Sequence, residues 1–262
     1  MNTIVALTDF SSTADNAIHY AAALAQKTGA ALTLIHVYQI PVTMNDMPVL
    51  LISAEELKNN VEERLQKTKE ELSAQFSSIN IQTVSLIGDV ADEVKDWTKE
   101  HNTDLIVTGT HESSGAERML LGSTAAAVVR HLDLPVIAVP QQFTNYSFNR
   151  VALATDLSDI EKFPANTVID FVRTLDAQLQ VVHVSTDGTH KAFTIPALEV
   201  LQPAYRVIES EDVNKSLIEL QNDVDLLIIL PHEHTIIERW FFKLHTEPLL
   251  NHAQKPVLTI KN

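Results

Sequence analysis

Cysteine is absent from this sequence, which excludes disulfides, thiol nucleophiles and cysteine-ligated metal centres. Positive charge is scarce: 19 Lys and Arg face 34 Asp and Glu, a formal net charge of −15. Nucleic acids and anionic membranes are held largely by basic surfaces, so neither is an expected partner. No apolar run approaches the roughly 18 residues that a membrane-spanning helix needs. The opening stretch MNTIVAL lacks the basic region, long apolar stretch and cleavage site of a signal peptide. A cytoplasmic protein is expected. What remains is ordinary globular composition, 45% hydrophobic and 20% charged, over 262 residues. That length suits one large domain or two of common size.

An internal repeat chooses between them. The segment VALTDFS at Val5–Ser11 returns as VALATDLS at Val151–Ser158, setting Asp9 opposite Asp156. LTLIHV at Leu32–Val37 returns as LQVVHV at Leu179–Val184, pairing His36 with His183. Both matches keep an offset of 147 residues. Further on, DLIV at Asp104 matches DLLI at Asp225, His111-Glu112 matches His232-Glu233, and Pro135-Val136 matches Pro256-Val257. There the offset is 121, so the second copy has lost 26 residues between its second and fourth strands. An ordered series at steady offsets marks a duplication: residues 1–140, a polar linker at 141–149, and 150–262.

Within the first copy, β-rich runs at Ile4–Leu7, Ala31–Tyr38, Ile81–Ile87, Leu105–Thr108 and Val136–Val139 predict buried strands. Helical patterns at Ser12–Gln26, Ala54–Phe76, Asp89–Lys99 and Ser123–Leu132 separate them. Alternation of this kind predicts right-handed crossovers and a parallel sheet covered on both faces. The fold class is therefore α/β, with two tandem doubly wound five-stranded parallel sheets and the second copy shortened. In that copy the long helix gives way to Thr186–Pro203, where Gly188, Pro196 and Pro203 leave room for little more than a short helix. Ligand sites in such sheets lie beyond the carboxyl ends of the strands.

At that edge the informative stretch is GTHESSGAERMLLGST, Gly109–Thr124. Gly122 and Ser123 open a predicted helix, where free N–H groups and the positive dipole end suit phosphate. Asp9 closes the first strand, placed to accept hydrogen bonds from an adenine amino group or a ribose. These residues resemble the universal stress protein family. That family carries a strand ending in aspartate, an aliphatic-His-Val second strand, and Gly-x-x-Gly-x9-Gly-Ser before its last helix. The resemblance implies an adenine-nucleotide-hydrolase-like fold and a stress-response regulatory role. It also implies ATP or AMP in the first copy, with Asp9 and Val37 at the adenosine, Thr108 and Gly109 lining the pocket, and Gly122, Ser123 and Thr124 at the phosphates. It implies at most slow ATP hydrolysis; no general base is visible and no catalytic residue is assigned.

One position departs from the family pattern: Glu112 stands where nucleotide-binding members carry glycine. Its carboxylate opposes phosphate, at a cost on the order of 1–4 kcal/mol for like charges at surface-like dielectric. In the second copy Gly109 becomes Leu230, Gly122 becomes Lys243 and Ser123 becomes Leu244, so no nucleotide is expected there. Asp156, isolated at a strand end, suits a helix cap better than a ligand contact.

Other candidates have plainer readings. His232-Glu233-His234 lacks metal-ligand spacing and a further ligand, which favours a solvated loop, and no metal is assigned. His111 beside Ser113 and Ser114 has no orienting acid. His36 and His183, on predicted buried strands, suit hydrogen-bonded core positions. Trp240-Phe241-Phe242 suits packing over the degenerate second pocket, with a protein or ligand contact as the alternative. The loop Gln39–Leu51 is a lid or a plain connection.

Three functional readings stand: a nucleotide-binding regulator, a protein-interaction module without nucleotide, and a small-molecule or metal binder that uses the altered second copy. The resemblance also implies that the last strands, Val136–Val139 and Val257–Ile260, pair inside the chain as those of single-domain family members pair with each other, giving an intramolecular pseudo-dimer that satisfies two open sheet edges. A homodimer of chains and unidentified protein partners remain open.

Overall fold

The description rests on a computed structural model, covering residues 1–40, 53–110, 123–157, 163–186, 188, 192–230 and 255–261. In the first half, β1 (Thr3–Leu7), β2 (Ala31–Tyr38), β3 (Ile81–Ile87), β4 (Leu105–Thr110) and β5 (Val136–Pro140) alternate with helices α1 (Ser12–Thr28), α2 (Ala54–Gln75), α3 (Val90–Glu100) and α4 (Ser123–His131). In the second half, β6 (Arg150–Thr155), α5 (Ala165–Leu175), β7 (Gln178–Ser185), β8 (Ala204–Glu209), α6 (Val213–Leu220), β9 (Leu226–Ile229) and β10 (Val257–Thr259) follow the same plan.

Among the described residues, ten strands form one sheet in the order β3-β2-β1-β4-β5-β10-β9-β6-β7-β8. Every pairing is parallel except β5 with β10. There Val136, Ile137 and Ala138 face Thr259, Leu258 and Val257, and the Thr259 hydroxyl donates to the Val136 carbonyl at 3.1 Å. The expected pairing of the two last strands is thus present. It joins two quasi-equivalent sheets edge to edge, leaving β3 and β8 at the margins.

The strands are apolar on both sides because helices cover both faces. One core holds Ile4, Leu34, Val107 and Leu153 against α1, α2 and α5; the other holds Val5, Ile106, Ala152 and Leu227 against the opposite helices. Local signals set the helix ends. Ser11 caps α1 by accepting from the Ala14 N–H, and Gly29 ends that helix in the left-handed region at φ 74°. Ser53 and Glu56 form a reciprocal capping box at the start of α2. That box matters because α2 buries only Val61, Leu65 and Leu72 along its length. In the second half the counterpart of α2 is a six-residue 3₁₀ turn, Pro196–Leu201, in keeping with its two prolines and shortened connection.

The polar stretch between the halves is not a free tether. Phe143 and Phe148 are buried, and Phe143, Tyr146 and Phe148 pack edge-on around the fully buried Tyr20 of α1. Tyr146 donates to the Asn16 side chain, whose amide donates to the Pro140 carbonyl. Three aromatics spaced through polar residues carry no periodicity, so pattern reading passes over them. Ser147 and the backbone N–H groups of Asn149 and Arg150 all donate to the buried Asp225 carboxylate, which ties this stretch to the start of β9.

Candidate functional site

Parallel strands β1, β2 and β4 deliver their last residues to one edge of the sheet. Asp9 emerges there two residues beyond β1 and is exposed, with one carboxylate oxygen accepting from the Ser11 N–H at 2.9 Å. That bond shapes the turn into α1 and leaves the carboxylate at the surface. Val37, half-buried, lies near the end of β2. Thr108 and Gly109 lie in β4, paired with Ala138 and Val139 of β5. Thr108 is buried, so its side chain belongs to the sheet packing. Ser123 and Thr124 form the first turn of α4, after β4. Gly122, Glu112 and the His111–Ser114 cluster lie outside the described residues, as do Trp240-Phe241-Phe242 and His232-Glu233-His234. The loop 41–52 does as well.

Gly109 has a packing reason of its own. A Cβ built there would stand 2.7 Å from the Thr13 Cγ2 and 2.8 Å from the Thr13 carbonyl oxygen. The first turn of α1 therefore rests directly on the β4 backbone. In the second half α5 begins only at Ala165, well after Asp156, and the equivalent of Gly109 is the buried Leu230. Asp156 does not cap α5, whose N-cap is Pro164 with no side-chain bond.

A further feature was readable only in hindsight. His36 Nδ1 donates to the Thr8 carbonyl at 2.7 Å, and His183 Nδ1 to the Thr155 carbonyl at 3.0 Å. Next in chain, the Phe10 N–H donates to the Thr8 hydroxyl and the Leu157 N–H to that of Thr155, both at 3.0 Å. Phe10 and Leu157 both take the left-handed region, at φ 62° and 63°. Two non-glycine residues in so uncommon a conformation at equivalent places show that the duplication kept a specific turn. The signal was the repeated Thr-Asp pair. Each histidine is half-buried on its strand, less enclosed than a core position, because the strand end opens toward solvent. Phe10 lies 4.4 Å from the His36 ring, and Arg64 of α2 stacks 4.2 Å above Phe10. Burial lowers the His36 pKa, against the raising influence of the Thr8 bond and the Asp9 charge.

Among the described residues no helix is long and apolar enough to cross a membrane, and no group of three or more His, Asp and Glu is placed to hold a metal.

Fold and site together define an α/β protein of two fused, quasi-equivalent parallel sheets with a polar strand-end site in the first. The model describing the universal stress protein family matches residues 1–140, and the chain belongs to that family. It is 34% identical over 128 residues to universal stress protein G of Shigella flexneri, an alignment covering 48% of this chain and 87% of that protein. It is 37% identical over 86 residues to universal stress protein MJ0531 of Methanocaldococcus jannaschii, across 33% of this chain and 49% of that relative. A crystal structure of a universal stress protein from Archaeoglobus fulgidus DSM 4304 matches 100% of this chain and 96% of its own, with a TM-score of 0.76 at 21% identity. That likeness concerns the fold, and it extends across both halves.

Proposed function

We propose that the protein is a stress-response regulator of the cytoplasm that binds an adenine nucleotide, ATP or AMP, in its first half and none in its second. The observation carrying this reading is the convergence of Asp9, Val37 and Gly109 on one strand edge, beside the helix opened by Ser123 and Thr124. The exposed Asp9 carboxylate suits the hydrogen-bond donors of adenosine. The start of α4, with Gly122, Ser123 and Thr124, suits phosphate. The two halves correspond to domains 1–140 and 150–262, with 141–149 as the segment between them. Chemistry is confined to slow hydrolysis at most, and no catalytic residue is assigned.

Glu112 favours the competing reading, a pseudo-dimer without nucleotide that presents its surfaces to other proteins. Titration calorimetry of ATP, ADP and AMP into the natural protein and Glu112→Gly separates the two. One site per chain in the natural protein, weakened by Asp9→Ala, supports the regulator. Binding that appears only in Glu112→Gly gives the interaction module precedence.

A further inference from the structure

Over the edge strand of the second half lies a cavity of ≈ 320 Å³, walled by Ala192, Phe193, Tyr205 and Val207. The internal repeat shows what it replaces. Ser85 of β3 is the register partner of His36, as Val207 of β8 is of His183; Thr83 and Tyr205 correspond two residues earlier. In the first half α2 packs across β2 and β3, and the Ser85 hydroxyl donates to the Glu62 carboxylate of that helix at 3.4 Å. The second half has only the 3₁₀ turn in place of α2, and its side chains have changed in step. A polar strand face under a charged helix has become an apolar face on a cavity, and none of the four walls carries a charge. Phe193, Tyr205 and Val207 are all half-buried. The rings are fixed in place. The Tyr205 hydroxyl accepts from the Ile195 N–H at 3.0 Å and donates to the Glu199 carboxylate at 2.8 Å, so its polar end is already answered. Phe193 stands edge-on to Tyr205 and to His183, at 5.3 and 5.9 Å between ring centroids.

We propose that this cavity binds an uncharged aromatic small molecule of one or two rings. The volume is at the small end of ligand pockets, which are mostly apolar and hold their ligands by shape. An ion would give up its hydration to walls that offer no charge in return. Rings already packed edge-on present both faces and edges to a further ring, the arrangement that aromatic pairs prefer. A partner helix laid down in the manner of α2 is the poorer fit. The Tyr205 hydroxyl ties Ile195–Glu199 down above the strand, in the path that such a helix would take. The cavity lies across the β5–β10 junction from the proposed nucleotide edge and does not depend on it.

The test uses the full chain, isotope-labelled, and follows its methyl and aromatic NMR signals during titration with indole. Indole-3-carboxylate and tryptamine add a negative and a positive charge to the same ring. The expected result is saturable shifts at Val207 and Phe193 with indole, and binding about tenfold or more weaker for both charged analogues. Val207→Asp sets a carboxylate in the wall, and Ala192→Leu fills the space from an exposed position outside any helix or strand. Each should weaken indole binding by about tenfold or more, while Asp9→Ala leaves it unchanged. Ala192→Leu should also keep the far-UV dichroism and urea midpoint of the natural protein, so its loss of binding is not a loss of fold. Absence of saturable indole binding up to about 10 mM overturns the proposal. So does equal binding by the charged analogues, undiminished binding by Ala192→Leu, or loss of binding in Asp9→Ala.

Discussion

Replacing Gly109 by alanine tests why this strand carries a glycine at all. The added methyl carbon would lie 2.7 Å from Thr13 Cγ2 and 2.8 Å from the Thr13 carbonyl oxygen. Favourable carbon contacts lie near 3.5–4.0 Å, so α1 would have to retreat by about 0.7–1 Å at its first turn. The neighbour is backbone, and rotation of a side chain cannot relieve it. Overpacking of this kind costs about 1–3 kcal/mol. The smaller conformational freedom of alanine in the unfolded chain returns about 0.4–1 kcal/mol. A net loss of about 0–2.6 kcal/mol follows, read as a lower urea midpoint at unchanged slope. For a chain of roughly this size each kcal/mol moves Tm by about 2–4 °C. Thr13→Ala in the same background removes the Cγ2 contact and leaves the carbonyl contact, so it should restore only part of the loss. A raised midpoint for Gly109→Ala would refute the packing argument and leave ligand approach as the reason for the glycine.

Other expectations follow from single contacts. Asp225→Ala strips the acceptor from Ser147, Asn149 and Arg150, and should cost about 2–4 kcal/mol in urea unfolding; Asp225→Asn, able to keep part of the set, should cost less. Ser53→Ala removes the cap of a helix with few buried residues; about 0.5–2 kcal/mol is expected, with faster amide exchange confined to the first turn of α2. His36 has its pKa lowered by burial, so the unfolded chain binds the proton more readily than the folded one. Its contribution therefore makes stability fall as pH drops from the ordinary histidine range toward the lowered folded value, and level off below it. His36→Gln should flatten that segment of the stability–pH curve, and an identical slope in the variant would exclude His36 as its source.

How much of this was legible beforehand depended on how far each feature is local. The strands and helices of the first half were readable because each carries its own periodicity and its own caps, such as Ser11 with Gly29 and Ser53 with Glu56. The duplication was readable because repeated order survives point changes; the pairing of β5 with β10 was expected from the family resemblance, and it satisfies two open edge strands. Asp9 was readable as a strand-end carboxylate for the same reason.

Other features exist only once distant segments meet. Gly109 read as a pocket residue, and the structure adds a packing role that needed the tertiary contact: Thr13, far from it in sequence, lies on its backbone. Phe143 and Phe148 looked like part of a polar connection, and the buried face of Tyr20 shows what they cover. The cavity over β8 is built from Ala192, Phe193, Tyr205 and Val207, residues that read separately as a shortened connection and a strand. Backbone hydrogen bonding and hydrophobic period act over a few residues, so the sequence by itself determined the elements, their order and their repeat. Burial and charge pairing act through space, so only the tertiary structure decided which side chains share a wall.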